Sequence, residues 1–388
     1  MRVAHIVDRL GSVGGVRTYL EVLLPALSDR GIESVIVTAD SGEDSFGGAR
    51  VLVVPGIEAD GPTLPADTLH ALQGTLAAAS PDAVYLHVAP SPDVARTAAR
   101  ASGRMIAYAH DYGMVCPGNA RFLHRSGSFC AEGPGLRCFQ RAYAERCTNR
   151  RPDRVVHAYR RARAWEALLP ELPAVLVASP FMARQLEAGG ARPASVKIVP
   201  YPIELPEVQR APASSTDVLF VGRLIASKGA DVLLRGLAGL DGASAVIAGD
   251  GPDRPALELL AAELGLDGRV RFTGWVDPEE RLALFRSSRV LAFPALWQEP
   301  FGLIGLEALA AGLPVVASDA GGIPAWLTEG DGGLLVPPGD PDRLGAALRT
   351  VLEDETERAR LSACGPEVAA RFSVDRHLEL LLPELQAA

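Results

Sequence analysis

The stretch DVLFVGRLIASKGADVLLRGLAGLDGASAVIAGDG, Asp217–Gly251, decides the fold. It opens on a short apolar run, passes through a glycine-containing turn into a helical pattern, "KGADVLLRGLAGL", and returns to a second apolar run that ends on glycines. Two short apolar strands linked by a helix are the unit of a parallel sheet, since parallel neighbours need a crossover long enough to hold a helix. The rhythm continues downstream through "RVRFTGWV", "PEERLALFRSS", "RVLAFP" and "LPVVAS". Upstream, the same alternation predicts strands near 2–7, 32–38, 51–54, 82–87, 104–109, 173–177 and 196–199, with helices near 16–29, 66–79, 92–101, 154–168 and 180–188. "YPIELPEVQRAPASST", Tyr201–Thr216, holds three prolines and no period, and reads as a linker.

The fold class is therefore α/β, with two Rossmann-like domains whose parallel sheets face a central cleft. The expected boundaries are 1–205 for a first domain interrupted by an insert at 111–153, 206–216 for the linker, and 217–370 for a second domain. The apolar stripe of "VDRHLELLLPELQAA" makes 371–388 a C-terminal helix that packs back on the first domain. A chain of 388 residues suits two domains, and 48% hydrophobic against 22% charged residues describes a globular protein.

The net charge of −9 argues against nucleic-acid binding. No apolar run reaches the ~20 residues of a membrane span, and the start meets Asp8 before a signal-peptide core could form, so the expectation is a cytoplasmic protein. Charge is uneven, however. Eleven arginines between Arg121 and Arg163 face only Glu132, Glu145 and Asp153, which admits a lid, peripheral membrane contact or a patch for an anionic acceptor, beside the plain reading of solvated arginines. Lysine occurs only at 197 and 228.

Ligands of open α/β sheets bind beyond the carboxyl ends of the strands, so chemistry is sought in the strand-to-helix turns. Arg223 and Lys228 follow one strand, where two cations would hold a diphosphate, with solvated surface charges as the bland alternative. Asp250 and Gly251 follow the next strand, a weaker signal. In "WQEPFGLIGLEALAAGLPVVAS", Trp297–Ser318, Glu299 falls in a loop and Glu307 within a helix running from about Gly302 to Ala311. The free N–H groups of Gly302, Leu303 and Ile304 at the start of that helix form a ready phosphate site.

"GRLIASKG", "AGDGP", "RFTGWV" and "EPFGLIGLEALAAGLPVVAS" followed by "GGIPAWL" resemble, in order and spacing, the nucleotide-sugar domain of GT4-type retaining glycosyltransferases of GT-B fold. The resemblance covers 217–340, with fainter echoes in "GSVGGVRTYL", "YAHDYGMVCP" and "VASPFMARQL". It implies that Arg223 and Lys228, beside Gly222 and with the amides of Gly302 and Leu303, bind the diphosphate of a UDP- or GDP-sugar and stabilise it as it leaves. Glu307 would then take the ribose hydroxyls and Glu299 those of the transferred sugar, with Val276 beside the base and Phe301, Ile304, Asp250 and Gly251 lining the donor. The implied reaction is front-face transfer without a divalent metal. The family often carries Asn-Gly where this chain has Tyr201-Pro202.

In the first domain Gly14 and Gly15 open a helix and would bring amides to the diphosphate. His110 ends a strand and is expected to touch the sugar or orient the acceptor, while His87 is a weaker candidate; each has a structural alternative. Cys116, Cys130, Cys138 and Cys147, with His124 in reserve, are candidates for a structural zinc, although no pair has the short spacing typical of such sites. The expected acceptor is a glycan, a lipid-linked sugar or a small metabolite. The competing functions are a sugar-nucleotide epimerase or hydrolase, and a non-catalytic nucleotide-sugar-binding partner.

Overall fold

The computed structural model describes residues 1–388 apart from 12–14, 41, 89–90, 207–215, 329 and 388. In chain order the first part runs β1 (Arg2–Ile6), α1 (Gly15–Ser28), β2 (Glu33–Thr38), β3 (Ser45–Phe46), β4 (Ala49–Val53), α2 (Ala66–Ala79), β5 (Ala83–Leu86), α3 (Pro92–Ser102) and β6 (Met105–Tyr108). The insert follows, with β7 (Phe122–Leu123), β8 (Ser128–Phe129) and α4 (Arg137–Ala144), and then α5 (Pro152–Leu168), β9 (Ala174–Val177), α6 (Pro180–Ala188) and β10 (Val196–Ile198). The remainder is β11 (Thr216–Val221), α7 (Ala230–Ala238), β12 (Ala245–Ala248), α8 (Arg254–Glu263), β13 (Val270–Gly274), α9 (Pro278–Ser287), β14 (Ser288–Phe293), α10 (Leu303–Ala310), β15 (Val315–Ser318), β16 (Gly333–Val336), α11 (Pro341–Glu353), α12 (Glu355–Ala370) and α13 (Val374–Gln386).

The chain divides into two compact units, one of Met1–Arg125, Cys130–Pro202 and Val374–Ala388, the other of Ser126–Phe129 with Ile203–Ser373. The division comes earlier than the proline-rich linker suggests because Ile203 is already tied to the second unit, its N–H donating to the Phe372 carbonyl at 3.0 Å. Helix α13 belongs to the first unit, where it packs on α1, β5 and β6.

In the first unit the sheet order is β10-β9-β6-β5-β1-β2-β4-β3, parallel except for the β3–β4 pair. Strand β1 therefore has β2 on one side and β5 on the other, and the chain winds away from it in both directions. That switch point opens a crevice beyond the strand ends. The second unit repeats the device in the all-parallel order β13-β12-β11-β14-β15-β16, with its switch between β11 and β14. Strands β5, β6, β9, β12 and β15 are buried along their whole length, which is why each reads as an unbroken apolar run rather than an alternating one.

Local chemistry sets the helix ends. Ser179 Oγ accepts from the Met182 N–H at the start of α6, and Asp277 with Glu280 forms a reciprocal capping box on α9. Gly302, the expected first residue of this helix, stands just outside α10 because its φ of 93° is left-handed, and the helix begins one residue later. Among the described residues no helix is long and apolar enough to cross a membrane.

Candidate active site

In the second unit, the turns after β11 and β14 flank the switch point and are locked together. Leu296 N–H donates to the Ser227 carbonyl at 2.9 Å. Gly229, with φ 72°, lies so near the other loop that a Cβ there would meet the Pro294 carbonyl oxygen at 1.9 Å. This close approach brings Lys228 and Glu299 into an ion pair with little exposure. Lys228 Nζ also stands 5.0 Å from the centre of the Trp297 ring, within reach of its negative face. Glu299 is only 5% exposed, and its carbonyl accepts from the Gly322 N–H at 2.6 Å, so the "GGIP" segment holds the loop from behind.

Arg223 is exposed at the same mouth, with no ion pair among the described residues, while Gly222 beside it is half-buried. Asp250 is turned inward to its own turn: one oxygen takes the Gly251 N–H at 2.7 Å and the other the Arg254 guanidinium at 3.1 Å. Val276 is half-buried next to the exposed Trp275. The start of α10 carries no side-chain cap, which leaves the first-turn amides of Leu303 and Ile304 to another acceptor. Phe301 is buried, and its carbonyl accepts from Trp326 Nε1 at 2.6 Å, fixing the approach of the chain to that helix start.

Glu307 sits one turn further along α10. Arg281 Nε lies 2.9 Å from Glu307 Oε2. The N–H does not point along that line, and this buried oxygen makes no hydrogen bond among the described residues. Burial pushes the Glu307 carboxyl up, with Arg281 opposing and Glu204 adding to the rise. A buried carboxylate oxygen without a donor is costly, and two hydroxyls would remove that cost. Arg281 has no signal in sequence, since nothing there shows that α9 faces α10.

In the first unit His110 lines a cavity of about 160 Å³ with Asp8, His87 and Asp111, at the ends of β1, β5 and β6. His110 Nδ1 meets Tyr201 Oη at 2.7 Å and its Nε2 meets His87 Nδ1 at 3.3 Å. The run continues from His87 Nε2 to His5 Nδ1 at 3.0 Å and from His5 Nε2 to Ser34 Oγ at 3.2 Å. Burial lowers the His110 and His5 pKa values to about 3 each, and lowers that of His87 well below the usual histidine value, with the neighbouring histidines adding to the effect. All three rings are neutral at pH 7, so His110 is suited to a hydrogen bond and not to acid–base work near neutrality. Sequence patterns miss His5 and Tyr201, because only the sheet order puts β1 beside β5 and the 199–202 segment behind His110. Gly15 begins α1 with open space around it, and Gly14 lies outside the described residues.

The expected zinc set is not assembled. Among the described residues no three of His, Cys, Asp and Glu are grouped to hold a metal. The four thiols are free. Cys130 Sγ instead takes the Arg141 guanidinium at 2.9 Å, and Cys138 Sγ the Gly135 N–H at 3.5 Å.

Two α/β units built on parallel or mostly parallel sheets, each with a switch point, fit the GT-B class, and comparison with known proteins agrees. Residues 14–202 match the family model "Glycosyl transferase 4-like domain" and residues 203–368 match "Glycosyl transferases group 1". The chain belongs to the GT4-type glycosyltransferase family. Over 173 residues it is 40% identical to the D-inositol 3-phosphate glycosyltransferase of Corynebacterium urealyticum, covering 42% of this chain and 41% of that one. Over 175 residues it is 34% identical to the lipopolysaccharide core biosynthesis glycosyltransferase LpsE of Rhizobium meliloti, covering 44% and 51%. The chain thus spans about two fifths to one half of the length of these curated relatives. Among solved structures, HepE of Anabaena in complex with UDP and glucose is similar over 100% of both chains, with a TM-score of 0.76 at 19% identity. Sucrose-phosphate synthase of Thermosynechococcus elongatus gives 0.74 at 22%, over 98% and 97% of the chains. At such identities these two establish the fold.

Proposed function

We propose that this chain transfers a sugar from a nucleoside diphosphate, UDP or GDP, to an acceptor hydroxyl with retention of anomeric configuration. The observation that carries the reading is the β11–β14 switch point of the second unit. There a half-buried Lys228 paired with buried Glu299, an exposed Arg223, an uncapped helix start and an unsatisfied Glu307 oxygen lie on the connections after β11 and β14. Each matches one part of a nucleotide-sugar: cations and amides the diphosphate, Glu307 the ribose, Glu299 the sugar. Structures of the Anabaena relative bear UDP, which supports the donor class.

When a diphosphate enters, Lys228 has a stronger anion to face and turns toward it from Glu299, which frees that carboxylate for the sugar hydroxyls. Bond cleavage at the anomeric carbon then builds charge on the departing phosphate, which Lys228, Arg223 and the Leu303 and Ile304 amides would stabilise. The acceptor hydroxyl attacks from the face the diphosphate leaves and gives its proton to that diphosphate. His110, neutral and held by Tyr201 and His87, orients rather than titrates. Incubation with a panel of UDP-, GDP- and ADP-sugars tests the reading: nucleotide release that requires an added acceptor supports transfer. Release without acceptor would point to a hydrolase, and binding without turnover to a non-catalytic partner.

A further inference from the structure

Arg146, Arg151 and Arg154 of the arginine-rich stretch are exposed, yet they gather round one hollow instead of scattering over the surface. Residues of the insert close a cavity of about 520 Å³ against helix α5 within the first unit, a size in the ~300–1,000 Å³ range of small-molecule sites. Four arginines line it, Arg146, Arg151, Arg154 and Arg161, together with His124 and His157. The wall's one carboxylate, Asp60, is already taken by Arg161. Arg151, Arg154, His157 and Arg161 recur every three to four residues and so share one face of α5 and its leading edge. Arg154 has only the exposed Asp153 at 3.9 Å, outside the wall.

Three further observations separate this from an accidental basic patch. Arg161 is 3% exposed and ties the floor together, donating to the Pro117 carbonyl at 3.1 Å and to Asn119 Oδ1, while its buried Nε has no partner among the described residues. Two residues of the wall, Asn119 at φ 61° and Arg146 at φ 54°, hold the left-handed backbone that non-glycine residues rarely adopt, a strain that folds tend to concentrate at working sites. The start of α5 has no side-chain cap, so the helix dipole adds to the positive field of the arginines. Gathering like charges round one hollow is unfavourable until an anion fills it.

We propose that this cavity binds a phosphate group, monoester or diester, carried by the acceptor. Asn119 and Arg161 line both this cavity and the smaller one that holds His110, so the two hollows adjoin. A phosphate anchored by Arg146, Arg151 and Arg154 sets the remainder of its molecule toward His110. The anion site stands on its own geometry; only the word acceptor rests on the transferase reading.

Titration of the full chain with inorganic phosphate and with a hexose 6-phosphate, followed by calorimetry at low salt, tests the site without turnover. The Arg151→Glu/Arg154→Glu variant should bind both at least tenfold more weakly. Arg160→Glu/Arg163→Glu, on the same helix but outside the cavity wall, should bind them as the parent does. Cosedimentation with phosphatidylcholine vesicles containing or lacking phosphatidylglycerol distinguishes a lipid source from a soluble one: hexose phosphate bound without vesicles supports the soluble source, and capture only by the anionic vesicles, lost in the Arg151/Arg154 variant, the lipid source. Equal binding by parent and variant, or binding by neither in any arm, overturns the proposal. UDP titrated in parallel reports on the second unit alone. Loss of UDP binding with phosphate binding intact would reject the donor reading and keep the site, and the reverse would reject the site and keep the donor reading.

Discussion

Lys228 shows how much one residue is asked to do. Its scarcity in the sequence singles it out, but sequence separates it from Glu299 by seventy-one positions, and only the fold shows them paired. Pairing gives Lys228 two separable roles. As a stabiliser of the leaving diphosphate, its replacement by methionine should cost roughly two to three orders of magnitude in kcat. As the partner of a buried carboxylate, the same change should also destabilise the second unit by about 3 kcal/mol, because Glu299 is left buried and unpaired. The double variant Lys228→Met/Glu299→Gln should recover most of that stability and none of the rate. Denaturant titration and initial rates read the two effects independently, and recovery of rate in the double variant would remove Lys228 from the chemistry. Under the proposed ribose role Glu307 behaves differently, since ribose contacts are made equally in ground and transition states. Glu307→Gln should raise KM for the donor about tenfold with kcat little changed; a fall in kcat alone would contradict the ribose assignment.

Elements carry the parts that sequence reads best. The strands of both sheets lie close to their expected places because a strand buried on two faces must be an apolar run, and the start of α10 was legible because glycine, a left-handed φ and a following helix go together. Replacing Gly302 with alanine should therefore affect both the fold and the donor site. The new Cβ meets the Phe293 ring at 2.8 Å in a left-handed backbone, a strain of about 1–3 kcal/mol, and it displaces the amides proposed to hold the diphosphate. Weaker UDP binding and a lower melting temperature are the expected outcome, and unchanged UDP affinity would detach α10 from the donor. What sequence did not show is the role of α13 beyond its apolar stripe. His377 on that helix takes the Pro200 carbonyl at 2.6 Å through Nδ1 and so offers Nε2 to Tyr19 Oη at 2.9 Å, which in turn meets Tyr85 Oη at 2.8 Å. These four groups come from segments spread over most of the chain, and no local pattern predicts their meeting.

On the scale of the whole molecule, histidine is distributed one-sidedly: all seven lie in segments of the first unit, and none between 203 and 373. Four of them are buried with lowered pKa values, His5 and His110 at about 3, His377 at about 4 and His87 well below the ordinary value, in each case chiefly by burial. Such a ring is neutral in the folded unit and takes a proton in the unfolded chain once the pH drops below 6.5. Stability is therefore full above pH 6.5 and is lost as the pH falls from there toward the folded values of 3 to 4. His5, His110 and His377 each forfeit about 2 kcal/mol between pH 7.5 and 5, and His87 adds in the same direction. Four together approach the whole stability of an ordinary domain, about 5–15 kcal/mol. Asp8 and Asp111, raised by burial, act in the opposite sense but only as they too begin to bind protons. The second unit has no such group, so acidification should separate the two. Hydrogen exchange followed by mass spectrometry reads each unit by its own peptides: at pH 5, after correction for the intrinsic rate, protection should fall across β1, β5, β6 and α13 and persist across β11, β12, β14 and β15. Equal loss in both units, or none in the first, would show that the histidine run does not stay neutral and would return His110 to the list of groups that can exchange a proton with the acceptor.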